Sequence, residues 1–491
     1  TVVARNPKSA DPKTAPQPEK YVFTDLKTVP ATSVKDQSRS GTCWCFSGVA
    51  LLESDLLRRS GDTVDLSEMW IVRHAYYDKA LRYARMHGKT NLDAGGISYD
   101  VPYMMSLYGI VPDSVYRGLN YGTPNHVHGE LNAVIKAYMD AVIAAPNKTL
   151  STAWKEGLNG ILDAYFGQMP ETFTVNGKSY TPQSWMEALK IDPQDYVQLT
   201  SFTHHPFYQS FVLEIPDNWT ASQVYNIPLE ELQMVIYSSL EAGYAVNWAA
   251  DVSEKGFAFD KGFAIVPVTE AGEVSGSDRA RWTKLTDEEL KKMAQSPVGP
   301  TPEKTITQQM RQDAFDNYET TDDHGMLIVG LAKDQEGHPF YKVKNSWGER
   351  GTYKGYFYAS APYVLYKTTA IPLQREYALV PDNFRGVVPK MLVKEGEEVK
   401  AGTPLFFDKY HPEVLFCSPV SGTLAGVVRG AKRKILKVVV QAAQEQRYET
   451  FDLPALEQAD KEVVSAALLK AGFWPMVLQR PYGIIADALT T

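Results

Sequence analysis

The chain has 491 residues, 44% of them hydrophobic, and a formal net charge of −8. That length and apolar content support two to four domains with sizeable cores. The acidic balance, with a pI near 5.7, leaves no basic surplus to neutralise phosphates, so nucleic acid is excluded as a general partner.

No apolar stretch approaches the about 18 residues that a membrane span needs, so no membrane span is expected. Residues 1–19 are rich in Pro, Ala, Lys and Ser without apolar periodicity, and read as a flexible leader. The sequence opens Thr1-Val2-Val3. A removed signal peptide accounts for that opening, as does trimming of the chain; a bacterial exported, periplasmic protein is favoured over a cytoplasmic one. The three cysteines, Cys43, Cys45 and Cys417, do not form a disulfide framework and leave the redox compartment open.

The run Gln37-Ser38-Arg39-Ser40-Gly41-Thr42-Cys43-Trp44 precedes an apolar helix. A thiol in the first turn sits where the helix dipole favours its thiolate, which suits a nucleophile. Upstream, the Gln37 amide can donate to a developing oxyanion. Phe46, Val49, Ala50, Leu52, Leu56 and Leu57 share a face over 43–59, and Arg58, Arg59, Ser60 and Gly61 mark the stop. Leu66-Ser67-Glu68 opens another helix. Asp93-Ala94-Gly95-Gly96 marks a turn or a close backbone approach.

From about 120 to 245 the pattern is helical. Leu131, Val134, Ile135, Tyr138, Met139 and Val142 form one stripe; Trp154, Leu158, Ile161, Leu162 and Tyr165 form another. Thr181-Pro182 and Pro228 open further helices. His126, His128, His204 and His205 have no Cys or acidic set at metal-ligand spacing, so they read as structural or surface residues and no metal is expected. A charged helical patch over 286–318 starts at Thr286-Asp287-Glu288-Glu289.

Gly325–Leu331, Phe340–Lys344 and Tyr353–Ser360 read as strands. His324 opens the first of them and Asn345 closes the second, so antiparallel pairing places the two side by side. Trp347 then covers their hydrogen bond. A Cys, a His to take its proton and an Asn to orient the His form an acyl-transfer constellation. Asp323 either tunes that site or is an ordinary loop acid.

The order Gln37…Cys43-Trp44, Asp323-His324-Gly325, Lys344-Asn345-Ser346-Trp347-Gly348 resembles the papain-like cysteine peptidases, and looks most like the bleomycin hydrolase and aminopeptidase C subgroup. Ser40 stands where papain has a disulfide-forming Cys. The resemblance covers about 20–370. It implies an α+β, two-lobed fold, a helical lobe plus an antiparallel β lobe, with an inserted helical subdomain that in relatives builds oligomer contacts; a homo-oligomer is therefore possible. It implies Cys43 as nucleophile in an ion pair with His324, Asn345 as the orienting group and Gln37 as oxyanion donor. Gly95, Gly96 and Trp347 would bind substrate. Peptides are the expected substrates, no cofactor is implied, and amino-terminal trimming is favoured over endopeptidase cleavage in an open cleft.

Past Leu373 the pattern changes. Val393–Leu405 and Ser418–Leu424 have the turn–strand–turn look of a lipoyl-like half-barrel, which suggests a small β-rich barrel-sandwich hybrid. Lys409 lies near the position of a carrier lysine but lacks the flanking residues that carrier ligases read. Pro404–Glu413 and Gln479-Arg480-Pro481-Tyr482 resemble the start of the A component of the Na⁺-translocating NADH-quinone reductase. The expected domains are 1–19 (leader), 20–373 (peptidase, insertion at about 120–245) and 374–491 (barrel-sandwich hybrid). An alternative role for the last is binding to that respiratory complex.

Overall fold

The computed structural model describes residues 20–146, 149–270, 285–374, 377–443, 446–451, 459–479 and 484–487. The leader expected over 1–19 lies outside the described residues. The chain divides into two compact units, Thr1–Gln374 and Arg375–Thr491.

In the first unit, the helix Cys43–Ser60 lies between helices Glu68–Arg85 and Asp100–Tyr108 and strands Val246–Ala250 and His324–Lys333. Its sequence shows one apolar face, yet Trp44 through Leu56 are all buried, including Ser47, Glu53, Ser54 and Asp55. A helix with neighbours all round must satisfy its polar groups internally. Accordingly Ser54 donates to Pro30 O (2.6 Å), and Asp55 pairs with Arg58 and Arg59 (2.6 and 3.0 Å). Gly48 allows the closest helix approach, since a Cβ there would lie 2.6 Å from Val101 Cγ2. The helix ends at Gly61 in the left-handed conformation (φ 78°).

Ser67 caps the helix Glu68–Arg85 by accepting from Trp70 N. The expected stripes bury Leu131, Ile135 and Met139 on Gly129–Ile143, and Leu158 and Leu162 on Ala153–Phe166. Thr181 and Thr286 both head capping boxes. The insertion is not wholly helical. Strands Tyr196–Thr200, Ser210–Val212 and Gln223–Asn226 extend the main sheet. The alternating burial of Tyr196–Thr200 is a strand signature set among helical stripes.

That sheet runs in the order Ser210–Val212, Gln223–Asn226, Tyr196–Thr200, Thr368–Gln374, Val246–Ala250, His324–Lys333, Pro339–Lys344, Tyr356–Ser360, Phe263–Ala264, Phe257–Ala258. Thr24–Thr28 also pairs with His324–Lys333. The pairing of His324–Lys333 with Pro339–Lys344 is antiparallel, with Leu327 opposite Lys344. This register carries His324 and Asn345 to the same edge.

Among the described residues the second unit has a two-stranded pair, Leu478–Gln479 with Ile484–Ile485, and two larger sheets. One orders Tyr377–Leu379, Ile435–Ala442, Gly422–Arg429 and Glu398–Val399; the other orders Pro389–Met391, Pro404–Asp408 and Leu415–Cys417. Leu405, Phe406, Phe416, Leu424, Val438 and Val440 fill the core between them. This is the barrel-sandwich hybrid. Trp474, beyond helix Lys461–Lys470, joins that core and donates to Ala486 O (2.8 Å). Lys409 is exposed after strand Pro404–Asp408, its ammonium 5.2 Å from the Tyr410 ring centroid.

Candidate active site

Cys43 is the first residue of its helix, free and half-buried. The turn leading to it needs Gly41, which is left-handed (φ 69°) and packed so that a Cβ would lie 3.0 Å from Ala94 Cβ. The thiol accepts the backbone N–H groups of Gly325 and Trp44. Gly325 follows His324, so the thiol lies beside the histidine strand. Gly325 permits that approach; a Cβ there would lie 2.6 Å from Ser47 Oγ. Burial pushes the Cys43 thiol up, to about 12, against the lowering by these two N–H groups. The favourable helix end expected from sequence is outweighed by desolvation.

His324 is buried, and its Nε2 lies 2.7 Å from Asn345 Oδ1. The same oxygen accepts Ser346 N–H at 2.8 Å. Nδ1 is then the ring nitrogen left for a thiol. Trp347 stacks on the imidazole, with centroids 4.6 Å apart and planes 27° apart, and is itself walled by Phe259 (5.1 Å, 80°). Burial pushes the imidazole down, to about 4, and the bond to Asn345 only partly offsets this. Burial thus works against the charged forms of both groups, and so against the ion pair that the sequence reading expected.

Gln37 is buried; its Oε1 accepts Ser346 Oγ–H (2.6 Å) and its backbone N–H donates to Ser346 O (2.8 Å). With the carbonyl end pinned, the amide nitrogen is the end that can donate elsewhere. Two residues earlier, Lys35 binds Glu53 (2.9 Å), Glu68 (2.7 Å) and Asp65 (2.6 Å), anchoring this loop to both long helices.

Gly95 and Gly96 lie on the Cys43 side: Trp44 Nε1 donates to Ala94 O (2.9 Å), and a Cβ on Gly96 would lie 3.0 Å from Trp44 Cε2. A Cβ on Gly95 would lie 2.2 Å from Asp217 Oδ2. Asp217 also accepts from Asn91 Nδ2 (2.7 Å). Sequence reasoning missed Asp217, and missed Asp322 as well. These are the two carboxylates that raise the Cys43 thiol most, after burial. Burial lifts Asp322 to about 7, with Asp217 the next cause. Asp323 accepts from Thr321 Oγ1 (2.9 Å) at the exposed edge. The doubled acid before His324 was a visible signal for Asp322; Asp217, in the insertion, had none.

His128 is buried with Nδ1 3.2 Å from the Tyr76 hydroxyl. For His204 and His205 the sequence offered no acidic partner at ligand spacing, and the fold supplies one. Their nitrogens and a Glu214 oxygen all lie within 4.8 Å of one another.

Residues 18–94 match the papain family cysteine protease model, and 304–389 match the peptidase C1-like family model. Residues 363–443 match the NqrA N-terminal barrel-sandwich hybrid domain. The crystal structure of PepW from Lactobacillus rhamnosis has a TM-score of 0.52 at 18% identity, covering 72% of this chain and 82% of that one, which shows a shared fold. The A component of the Na(+)-translocating NADH-quinone reductase of Actinobacillus succinogenes is 38% identical over 109 residues, 22% of this chain and 25% of that protein. The Neisseria meningitidis counterpart is 39% identical over 116 residues, 23% and 26% of the two chains. The chain thus spans about a quarter of the length of these curated relatives. The first unit is thus similar to papain-family cysteine peptidases in its matched segments and in its fold, and the second carries a match to the NqrA-type barrel-sandwich hybrid domain.

Proposed function

We propose that the first unit hydrolyses peptide bonds through Cys43, His324 and Asn345, and that it trims peptides from their amino ends. The single observation carrying the chemistry is the His324–Asn345 bond of 2.7 Å beneath Trp347, beside a thiol seated on Gly325 N–H. It supports the following course. Substrate meets the Cys43 thiol and the His324 imidazole. His324 Nδ1 takes the thiol proton as Sγ attacks the scissile carbonyl. Asn345 Oδ1, accepting from Nε2–H, stabilises the imidazolium formed and keeps the ring in place. The Gln37 amide and the Cys43 backbone N–H, one of the unbonded donors at a helix start, receive the oxyanion. The tetrahedral adduct collapses; the C–N bond breaks, and His324 returns its proton to the leaving amine. Water, deprotonated by His324, then cleaves the thioester and restores the thiol.

Amino-end trimming draws support from Asp217 on Gly95 and Asp322 near the thiol: two carboxylates there favour a protonated α-amine over a neutral blocked end. Cys43→Ala is expected to abolish peptide hydrolysis, while Cys45→Ala keeps most of it, because Cys45 is buried and its thiol donates to Glu68 O (3.3 Å). Equal loss in both would remove the assignment of the nucleophile. A free-amine fluorogenic peptide is expected to be cleaved much faster than its N-blocked counterpart, and Asp217→Asn to raise KM for the former alone. Equal cleavage of both would favour the endopeptidase reading.

A second reading concerns the other unit. Its identity to the NqrA proteins of the quinone reductase supports binding to that respiratory complex, and co-purification with the complex's membrane components tests it.

A further inference from the structure

Away from the cleft, two adjacent imidazoles share one carboxylate. His204 and His205 lie in the turn between strands Tyr196–Thr200 and Ser210–Val212, and Glu214 lies just past the second strand. His204 Nε2 is 3.1 Å from Glu214 Oε2, and His205 Nε2 is 3.0 Å from Glu214 Oε1. The rings are oriented from behind by aromatic packing. His205 stacks on Phe211 (4.2 Å, 21°) and His204 on Phe315 (5.7 Å, 19°). Their ligating edges face solvent, with the side chains 26% and 35% exposed.

Behind His204 stands Gln312, buried on the helix Gln308–Asp316. His204 Nδ1 lies 3.3 Å from its Oε1 and 3.1 Å from its Nε2. Gln312 is fixed there, because Oε1 accepts Thr203 N–H (2.6 Å) and Nε2 donates to Asp316 Oδ1 (2.9 Å). The amide therefore serves either tautomer. It donates to Nδ1 when Nε2–H is bound to Glu214, and accepts Nδ1–H when Nε2 offers its lone pair to a cation. A buried partner on the far nitrogen is what a ligating histidine requires.

We propose that His204, His205 and Glu214 bind one divalent transition-metal ion of the zinc class, with solvent at the remaining position and Gln312 orienting His204. Two imidazoles and a carboxylate plus water make a three-ligand zinc set. Glu214 is three residues before Asp217, so the ion would clamp the segment that lays a carboxylate on Gly95.

The test uses the full chain, without an affinity tag, carrying Cys43→Ser so that the nucleophile does not compete for metal. Zn²⁺ is followed by equilibrium dialysis with elemental analysis, and Co²⁺ by its visible absorption. One equivalent per chain is expected, with cobalt bands of nitrogen and oxygen ligation and no thiolate charge transfer. Glu214→Gln, which keeps an acceptor, and His205→Gln are each expected to weaken binding tenfold or more, and Gln312→Ala to weaken it about 10- to 100-fold. Circular dichroism verifies that each variant is folded. Sub-stoichiometric binding, or binding unchanged in folded Glu214→Gln and His205→Gln, would overturn the site.

Discussion

Burial moves the Cys43 thiol and the His324 imidazole in opposite directions for one reason: it penalises whichever form is charged. It raises the Cys43 thiol and lowers the His324 imidazole, which disfavours a thiolate–imidazolium pair in the absence of substrate. The rate of Cys43 alkylation by iodoacetamide is therefore expected to keep climbing from pH 6 through pH 9. A plateau already reached at pH 6 would mean a resting thiolate. The same penalty acts on Glu303, whose carboxyl burial lifts to about 7. The native state holds a proton there that the unfolded state has already released, so this group costs stability as pH rises from the unfolded carboxylate value through about 7. Its Oε2 accepts both Val266 N–H (2.8 Å) and Ser360 Oγ–H (2.5 Å), and a glutamine oxygen can accept both bonds. Glu303→Gln is expected to gain melting temperature over the parent progressively between pH 5 and pH 8. A gap that does not change with pH would contradict the shift.

At the scale of elements, the loop carrying Gln37 is held by a charge cluster beneath it. The Lys35 ammonium stands between Glu53 and Glu68, whose side chains are 1% and 5% exposed, one on each long helix. Glu53 also accepts Thr32 Oγ1 (2.6 Å) and Leu66 N–H (2.9 Å), so one carboxylate ties three chain segments together. Removing the cation strands two carboxylates out of water. Lys35→Met is expected to cost about 3–5 kcal/mol in urea unfolding. It should also lower kcat by loosening Gln37, the proposed oxyanion donor; full loss of one such donor is worth about 10² to 10³. A neutral effect on both would show that the charge cluster does not hold the loop. The histidine strand shows the complementary device. Gly325 has no side chain, so that strand packs directly on the helix Cys43–Ser60.

At the scale of the whole molecule, each unit has its own hydrophobic cluster: Val49, Ile71, Trp248 and Ile328 are among the core residues of the first, Leu405, Phe416, Leu424 and Val438 of the second. Separate cores predict separate cooperative units. Scanning calorimetry of the full chain is expected to resolve two transitions. Ligands of Cys43, a residue of the first unit, should shift one of them and leave the other in place. A single transition moved as a whole would mean that the two cores unfold together.

Much of this was legible in the linear chain. Helix stripes, caps and stops depend on neighbours three or four residues away, so Leu131, Ile135 and Met139, Thr181 and Gly61 could be read directly. The pairing of His324 with Asn345 was legible as well, because a short hairpin-like pair of strands leaves few registers open. What lay beyond reach depends on contacts distant in sequence. Three strands of the insertion join a sheet built from remote segments. Asp217 reaches Gly95, and Glu214 reaches His204 and His205, only once that sheet exists. The desolvation of the site was out of reach for the same reason: a helix end acts through adjacent residues, whereas burial is imposed by everything the fold packs around the thiol.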